Sequence, residues 1–337
     1  IYYPAEKLEE VRQTGEATDE WYRVTLYRLV DLARSVASKY SRAKVREALP
    51  EDFQYIIDEL LHTSGEEHDK QAYYQNIIGT VIEVGMAGAF IEALCRLIKR
   101  MAVDRLHVVG DIYDRGARPD RILDMLMEHH RVDIQWGNHD IVWMGAAAGS
   151  AVCVATVLNS ALQYNTLAIV ENTYGISLRD LIGFAQETYK GCTWFMPRSE
   201  DDAYYVKNRM DTLSKAHKAI AIIMFKLEGQ LIRRHPEYGM DDRLLLEHID
   251  YTAHTVTIDG QVYPLNDAHF PTVDPADPYR LSDGEASLMA SLVGAFRRSP
   301  ALRRHIEFLY TCGSLYRVCN GNLLFHGCIP LCADGSF

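Results

Sequence analysis

The chain has 337 residues, enough for about two domains or one large domain with insertions. An apolar fraction of 48% and a charged fraction of 24% exclude general disorder, collagen-like repeats and a disulfide mini-scaffold. The net charge of −11 argues against bulk electrostatic binding to nucleic acid or to an anionic membrane, so an anionic substrate has to be attracted locally, by a metal or an arginine.

Taken from the N-terminus, the pattern predicts helices over 5–13 and 19–48. In the second of these Trp21, Val24, Leu26, Leu29, Val30 and Leu32 recur at helical spacing. Pro50 ends it, and Glu51 and Asp52 open the next helix, to about 62. Ser64-Gly65-Glu66-Glu67 reads as a polar loop, followed by a long helix over 69–101 broken near Gly79 or Gly85. The character then changes. Leu106-His107-Val108-Val109 reads as a buried strand ended by Gly110-Asp111, with His107 as a packed core histidine. Arg118 to His130 is helical with Pro119 in its first turn, and Val132 to Trp136 is a second strand ended by Gly137-Asn138. This is the length of a β-α-β unit.

The uncharged stretch from Ile141 to Val170 is rich in Gly, Ala and Ser and runs into Asn159, Gln163 and Asn165, so it reads as a buried helix hairpin and not as a membrane span. Residues 139–235 are mostly helical, including a helix over 202–228. A hairpin is predicted at 255–264 around Asp259-Gly260, a Pro/Asp-rich loop at 265–280, helices at 282–297 and 299–311, and strands at 314–319 and 322–326 joined by Asn320-Gly321. Four regions follow: helical 1–102, a β-α-β core at 103–150, a mostly helical insertion with a hairpin at 151–281, and a return to the core at 282–337.

The chemistry concentrates in three short motifs, each just past the end of a predicted strand, where parallel α/β sheets bind ligands. The first is Gly110-Asp111-Ile112-Tyr113-Asp114-Arg115-Gly116, the second Gly137-Asn138-His139-Asp140, the third Phe325-His326-Gly327. Asp111 is a hard oxygen ligand, and Asn138 adds a neutral carbonyl oxygen. His139 can donate a proton near neutral pH, with Asp114 to hold its tautomer. Arg115 carries the planar fork that grips phosphate, and Gly110 and Gly116 permit sharp turns. The β-α-β connection makes Asp111 and Asn138 neighbours in space. His326, a lone strand-end histidine, reads as a ligand because of the company it keeps.

These motifs resemble those of the calcineurin-like metallophosphoesterases, which include phosphoprotein phosphatases and dinucleoside-tetraphosphate hydrolases. The flanking text, with Trp136-Gly-Asn-His-Asp140, Lys226-Leu-Glu-Gly-Gln230 and Phe325-His-Gly-Cys-Ile-Pro330, is similar to that of class III fructose-1,6-bisphosphatases over essentially the whole chain. The resemblance implies an α/β fold: a calcineurin-like core, built of β-α-β units of a sandwich, with a helical N-terminal layer and a large helical insertion. It implies metal-dependent hydrolysis of the 1-phosphate of fructose 1,6-bisphosphate in gluconeogenesis, by hydroxide attack at two divalent cations, Mn²⁺ or Mg²⁺. Carried over by position, Asp111 bridges the metals, Asn138 and His326 bind one each, Arg115 holds the phosphate, His139 protonates the leaving alkoxide and Asp114 orients it. The partner is then a sugar bisphosphate, with no nucleic acid and no membrane. The helical layers are available for a homo-oligomer of unspecified number.

The superfamily's upstream Asp-x-His and downstream Gly-His are missing. With Ile1 in place of an initiator Met and an abrupt stop at Phe337, an internal piece of a longer protein is expected, turning over poorly by itself. The alternatives are a phosphoprotein or dinucleoside-polyphosphate phosphatase, and a non-catalytic helical scaffold or regulatory relative. The seven cysteines, odd in number and without a C-x-x-C pair, read as reduced thiols in the cytoplasm, and Cys328 and Cys332 as no zinc site. Among the remaining basic groups, His129 and His130 read as helix-end residues favoured by the dipole. His217 with Lys215 and Lys218 reads as a solvated face, and Arg233-Arg234-His235 as a helix C-terminal cluster. Lys190, Arg198, Lys207 and Arg209 are left as candidates for lining a sugar-phosphate pocket.

Overall fold

A computed structural model describes residues 1–62, 68–198, 207–328 and 331–336. The loop expected at 64–67, the start of the helix expected at 202 and the side chains of His68, Lys207 and Arg209 lie outside the described residues. The chain divides into two compact units, Ile1–Leu106 and His107–Phe337.

The first unit is helical: α1 (Pro4–Gln13), α2 (Asp19–Ala37), α3 (Arg42–Ala48), α4 (Gln54–His62), α5 (His68–Glu83) and α6 (Ala87–Ala102). The single helix expected over 19–48 is two. Ser41 stops it, because its hydroxyl accepts the Lys44 N–H and starts a new helix. The long 69–101 helix breaks at Gly85, which takes φ +74, and not at Gly79. Leu26, Val30, Ile57, Leu60, Ile78, Phe90, Leu94 and Leu97 make a shared core. Among the described residues no single helix is long and apolar enough to cross a membrane; α5 and α6 reach that composition only as a pair bent by 119°.

The second unit is mixed α/β. A sheet of order β1-β2-β6 is formed by β1 (Leu106–Val108), β2 (Val132–Gln135) and β6 (Gly313–Ser314), with β6 parallel to β2. Helix α7 (Pro119–Glu128) connects β1 to β2, with Pro119 at its first position. The uncharged stretch forms the expected helix hairpin, α8 (Asn138–Ala148) and α9 (Ala151–Gln163), turned at Gly149 and capped by Ser150. Val154, Ala155, Val157 and Leu158 are buried in it. There follow α10 (Arg179–Thr188), α11 (Lys207–Arg234), the small sheet β3-β4-β5 (Ile249–Asp250, Thr255–Ile258, Gln261–Pro264), α12 (Asp283–Arg298) and α13 (Pro300–Cys312). The β4–β5 turn is Asp259-Gly260, both at positive φ, as a two-residue hairpin requires. The strand expected at 314–319 is two. Gly313–Ser314 joins the parallel sheet, while β7 (Tyr316–Cys319) folds onto β8 (Asn322–Phe325) through Asn320-Gly321.

Three side-chain expectations are corrected. His107 is not a core histidine: it is part-exposed, and its Nδ1 meets the buried Asp133 carboxylate of β2, which Arg317 of β7 also approaches at 3.4 Å. Strand β1 itself is only half-buried. His217 and Lys218 are not a solvated face. The His217 imidazole is buried with Nδ1 against the Phe195 carbonyl at 2.9 Å, and the Lys218 ammonium, 1% exposed, binds Asp267 at 2.6 Å. Helix amphipathy hides this, because the burying partners come from the turn at 193–195 and from the 265–280 loop.

Lys226 is likewise fully buried, bonded to Glu285 at 2.7 Å and to the Thr272 carbonyl at 2.6 Å. Gln230 donates to the Tyr279 carbonyl at 2.7 Å, and Gly229 faces the Tyr279 ring so closely that an added Cβ would stand 2.2 Å from it. The Lys226–Gln230 text is therefore a seam that locks α11 to the 265–285 segment. All seven thiols are free.

Burial alone raises the Asp267 carboxyl, but the Lys218 ammonium, the Cys192 thiol and the His269 N–H hold it down at about 2. A depressed folded-state value stabilises the fold above the unfolded value, near 3.9, and that stability disappears as pH falls toward 2. Asp267→Asn is expected to cost roughly 2 kcal/mol at pH 7, with the gap to wild type closing between about pH 4 and pH 2. Urea denaturation across that range measures it, and a gap that does not change with pH sinks the assignment.

Candidate functional site

The site begins with two loops that leave neighbouring strands. After β1 the chain turns through Gly110 at φ +92 and Asp111 at φ +53. The second value is a left-handed conformation that costs a non-glycine residue about 1–3 kcal/mol. Gly116 is not among the residues at positive φ, whereas Asp111 itself takes the unusual backbone. After β2 the chain reaches Gly137, the N-cap of α8. The loops touch. A Cβ on Gly137 would stand 2.0 Å from Asp111 Oδ1, and one on Gly110 2.2 Å from the Gln135 carbonyl. Only glycine fits at either point.

Asp140, wholly buried at the third position of α8, holds the two loops together. Its Oδ2 accepts the N–H of Asp111 at 2.7 Å and of Gly137 at 3.0 Å, and its Oδ1 accepts the N–H of Tyr113 at 3.2 Å. Burial pushes this carboxyl upward, and the three N–H donors oppose that by favouring the anion. Asp140 stands in the second motif, but the sequence alone assigns it no role. The available signal was its position three residues after the N-cap, where an acidic side chain returns to the N-cap amide.

The structure brings Asp111, Asn138, His139 and Asp114 together as expected. The His139 N–H donates to Asp111 Oδ1 at 3.1 Å, and His326 Nε2 stands 3.0 Å from Oδ2. The His326 Nδ1–H donates to the Val109 carbonyl at 2.5 Å, so the imidazole comes from the end of β8 to the end of β1 with Nε2 turned toward the carboxylate. His139 Nε2 lies 3.0 Å from Asp114 Oδ1. The approach is off the hydrogen-bonding direction, so that this buried oxygen has no aligned donor. Asp114, Asn138 and His139 line a cavity of about 110 Å³ with Tyr113, Trp143 and Thr156, between the loop, α8 and α9.

Arg115 is not on that cavity wall. It is largely exposed, with its guanidinium 4.7 Å over the Tyr164 ring and its Nε 3.4 Å from Asp114. Lys190 and Arg198 are exposed and join no cluster around the cavity. Arg233 pairs with Glu247 and His235 with Glu237, which agrees with a helix C-terminal cluster. His129 and His130 stack on each other at the end of α7.

The donor chemistry suits a hard or borderline divalent cation. A backbone carbonyl fixes the His326 tautomer, as in many metal-binding histidines, and aims the free nitrogen at a carboxylate oxygen. A separation of 3.0 Å is what two adjacent donors have on one ion at about 2.1 Å. Among the described residues no three His, Cys, Asp or Glu side chains converge on one point. The convergent set is Asp111 and His326, with the neutral Asn138 nearby.

Replacing Asp140 by Asn puts an amide N–H₂ against at least one backbone donor. The expected cost is about 1–3 kcal/mol, read as a lowered unfolding midpoint, with faster amide exchange at Asp111, Tyr113 and Gly137 together. Wild-type exchange at those three amides in the variant contradicts the clamp.

The family model described as Firmicute fructose-1,6-bisphosphatase matches residues 1–337. The proteins named fructose-1,6-bisphosphatase class 3 of Listeria innocua serovar 6a and Clostridium novyi are 50% and 51% identical over 339 aligned positions, covering 100% of this chain and 52% and 51% of theirs. That of Alkaliphilus metalliredigens is 49% identical, over 51% of its length. The chain thus spans about half the length of the curated relatives it matches. No solved structure matches it. Three motifs that meet in space, and a match that runs from end to end, place the chain in the class III, or Firmicute, fructose-1,6-bisphosphatase family.

Proposed function

We propose that this chain carries the catalytic half-site of a metal-dependent phosphomonoesterase that hydrolyses the 1-phosphate of fructose 1,6-bisphosphate, a gluconeogenic step. The observation that carries the reading is the meeting of Asp111 and His326 beside a cavity walled by His139 and Asp114. A calcineurin-like core is the finer fold reading, supported by strand-end motifs on the β1-β2-β6 sheet with α7 between β1 and β2.

Asp111, His326 and Asn138 are the residues to hold divalent cations, Mn²⁺ or Mg²⁺. Such ions supply Lewis acidity and neutralise the phosphoryl oxygens. The protein's own part is separable. Asp140 fixes Asp111 by its backbone, so the carboxylate presents one oxygen at a set angle. His139 stands on the cavity wall with Nε2 toward Asp114, placed to protonate the departing alkoxide once the imidazole is charged. Arg115 swings from Tyr164 with little hindrance, since its side chain is exposed. It offers two parallel N–H donors to a phosphate. Walls supplied by α8 and α9 favour a small ligand over a protein surface loop or an extended dinucleotide. The free thiols support a cytoplasmic setting.

The test is phosphate release by the protein in its full natural length, with Mn²⁺ or Mg²⁺, across fructose 1,6-bisphosphate, a phosphopeptide and a dinucleoside tetraphosphate. Fructose 1,6-bisphosphate is expected to give the highest kcat/KM. His139→Ala is expected to lower kcat about 10²–10⁴-fold with little change in KM. Arg115→Ala acts mainly on KM. Preference for either other substrate overturns the assignment, and inactivity on all three favours the scaffold reading.

A further inference from the structure

The Tyr113 side chain has no role in the chemistry above, yet it forms part of the cavity wall. Its ring stacks on Trp143 at 4.7 Å and 20°. Its hydroxyl points away from water into the protein, to the Tyr174 hydroxyl at 2.7 Å. The Tyr174 hydroxyl meets His305 Nδ1 at 3.0 Å, and His305 Nε2 meets Asp124 Oδ1 at 3.1 Å. Tyr113, Tyr174 and His305 are 4%, 3% and 1% exposed, whereas Asp124 is at the surface and also takes Arg304 at 2.6 Å. A row of four side chains thus runs from the cavity to the surface, through the first motif loop, the turn at 169–174, α13 and α7.

The row has a consistent direction. Arg304 Nη2 lies 3.2 Å from His305 Nε2 but is bonded more closely to Asp124, at 2.6 Å; the Asp124 carboxylate only accepts, so Nε2–H of His305 donates to it. Nδ1 is then an acceptor for the Tyr174 O–H, and the Tyr174 oxygen accepts from Tyr113. Burial pushes the Tyr174 phenol well up, which keeps it a neutral O–H. The Tyr113 backbone is fixed as well, through its N–H to Asp140. This residue is therefore tied at both ends, next to Asp114 and two residues after Asp111. The Tyr174 ring makes the contact with Trp143, and its hydroxyl serves the bonds to Tyr113 and His305.

We propose that Tyr174 and His305 are positioning residues for the site, and that through the Tyr113 hydroxyl they hold the Asp111–Asp114 loop in the geometry that presents Asp111 to His326 and Asp114 to His139. The proposal rests on the hydrolase reading for its kinetic consequence and not for the structural link, so two readouts separate them. The variants are Tyr174→Phe, His305→Leu and His305→Asn, the last keeping an acceptor near the Nδ1 position, all in the protein of full natural length.

Hydrogen exchange of peptides covering 110–116 needs neither metal nor substrate. It is expected to quicken about tenfold in Tyr174→Phe and His305→Leu and to recover in part in His305→Asn, with the global unfolding midpoint little changed in Tyr174→Phe. On whichever phosphate ester the wild type hydrolyses, kcat is expected to fall about tenfold in Tyr174→Phe, with KM within about twofold. Unchanged exchange at 110–116 in Tyr174→Phe overturns the proposal whatever the substrate. So does quickened exchange with wild-type kcat, or His305→Asn no better than His305→Leu. A wild type that ignores fructose 1,6-bisphosphate but hydrolyses another ester overturns only the substrate assignment, and the same variants then decide the positioning role on that ester.

Discussion

Everything at this site depends on one buried carboxylate. Asp140 receives three backbone N–H groups from two loops that arrive from different strands, and so ties each to the other. Asp111 occupies a left-handed backbone region in which a free aspartate spends little time. The bond from its N–H to Asp140 offsets that cost, and the glycines at 110 and 137 remove the side chains that would block the approach. An anion buried this deeply is tolerated because the donors are preformed and neutral, so no second charge has to be desolvated with it. The result is a rigid base from which functional side chains project with few freedoms.

This arrangement explains which parts of the molecule could be read from the chain. Helices with a clear 3.6-residue pattern, such as α2 and α6, and turns with Asp259-Gly260 or Asn320-Gly321 follow from local chemistry. The three motifs follow too, because glycine beside a polar ligand after a strand is a local signature. Asp140's task was not legible, since its partners are backbone amides and any residue supplies those. Nor was the split of 313–319 into β6 and β7. A two-residue strand has no period to detect, and Gly313 and Ser314 are chosen by pairing with Ile134 and Gln135 on another strand. His107, His217 and Lys218 were misread for one reason: each is buried or paired by a segment far away in sequence.

The buried ion pairs have the same character. Lys226–Glu285 and Lys218–Asp267 both join α11 to segments that follow the small β3-β4-β5 sheet. Such pairs add little net stability over apolar packing, but breaking one partner is costly, so they favour a single register of helix against loop. Gly229 under Tyr279 works to the same end by shape. The Lys226–Gln230 text thus has an architectural part in this chain, while the three strand-end motifs carry the residues of the proposed chemistry.

The two oxygens of Asp111 show how the architecture bears on the chemistry. Oδ1 is occupied by the His139 N–H, so only Oδ2 faces His326. In the proposed two-cation reading, Asp111 and His326 would hold a cation that supplies Lewis acidity, while the His139 N–H keeps the carboxylate in one orientation. The same bond joins the carboxylate proposed to hold a cation to the backbone of the histidine proposed as proton donor, so a shift of Asp111 moves the His139 main chain with it. Positioning of Asp111 and of His139 is thereby a single property of the fold, to which the Asp140 carboxylate contributes three bonds, and a substitution that loosens the first loop is expected to displace both side chains together.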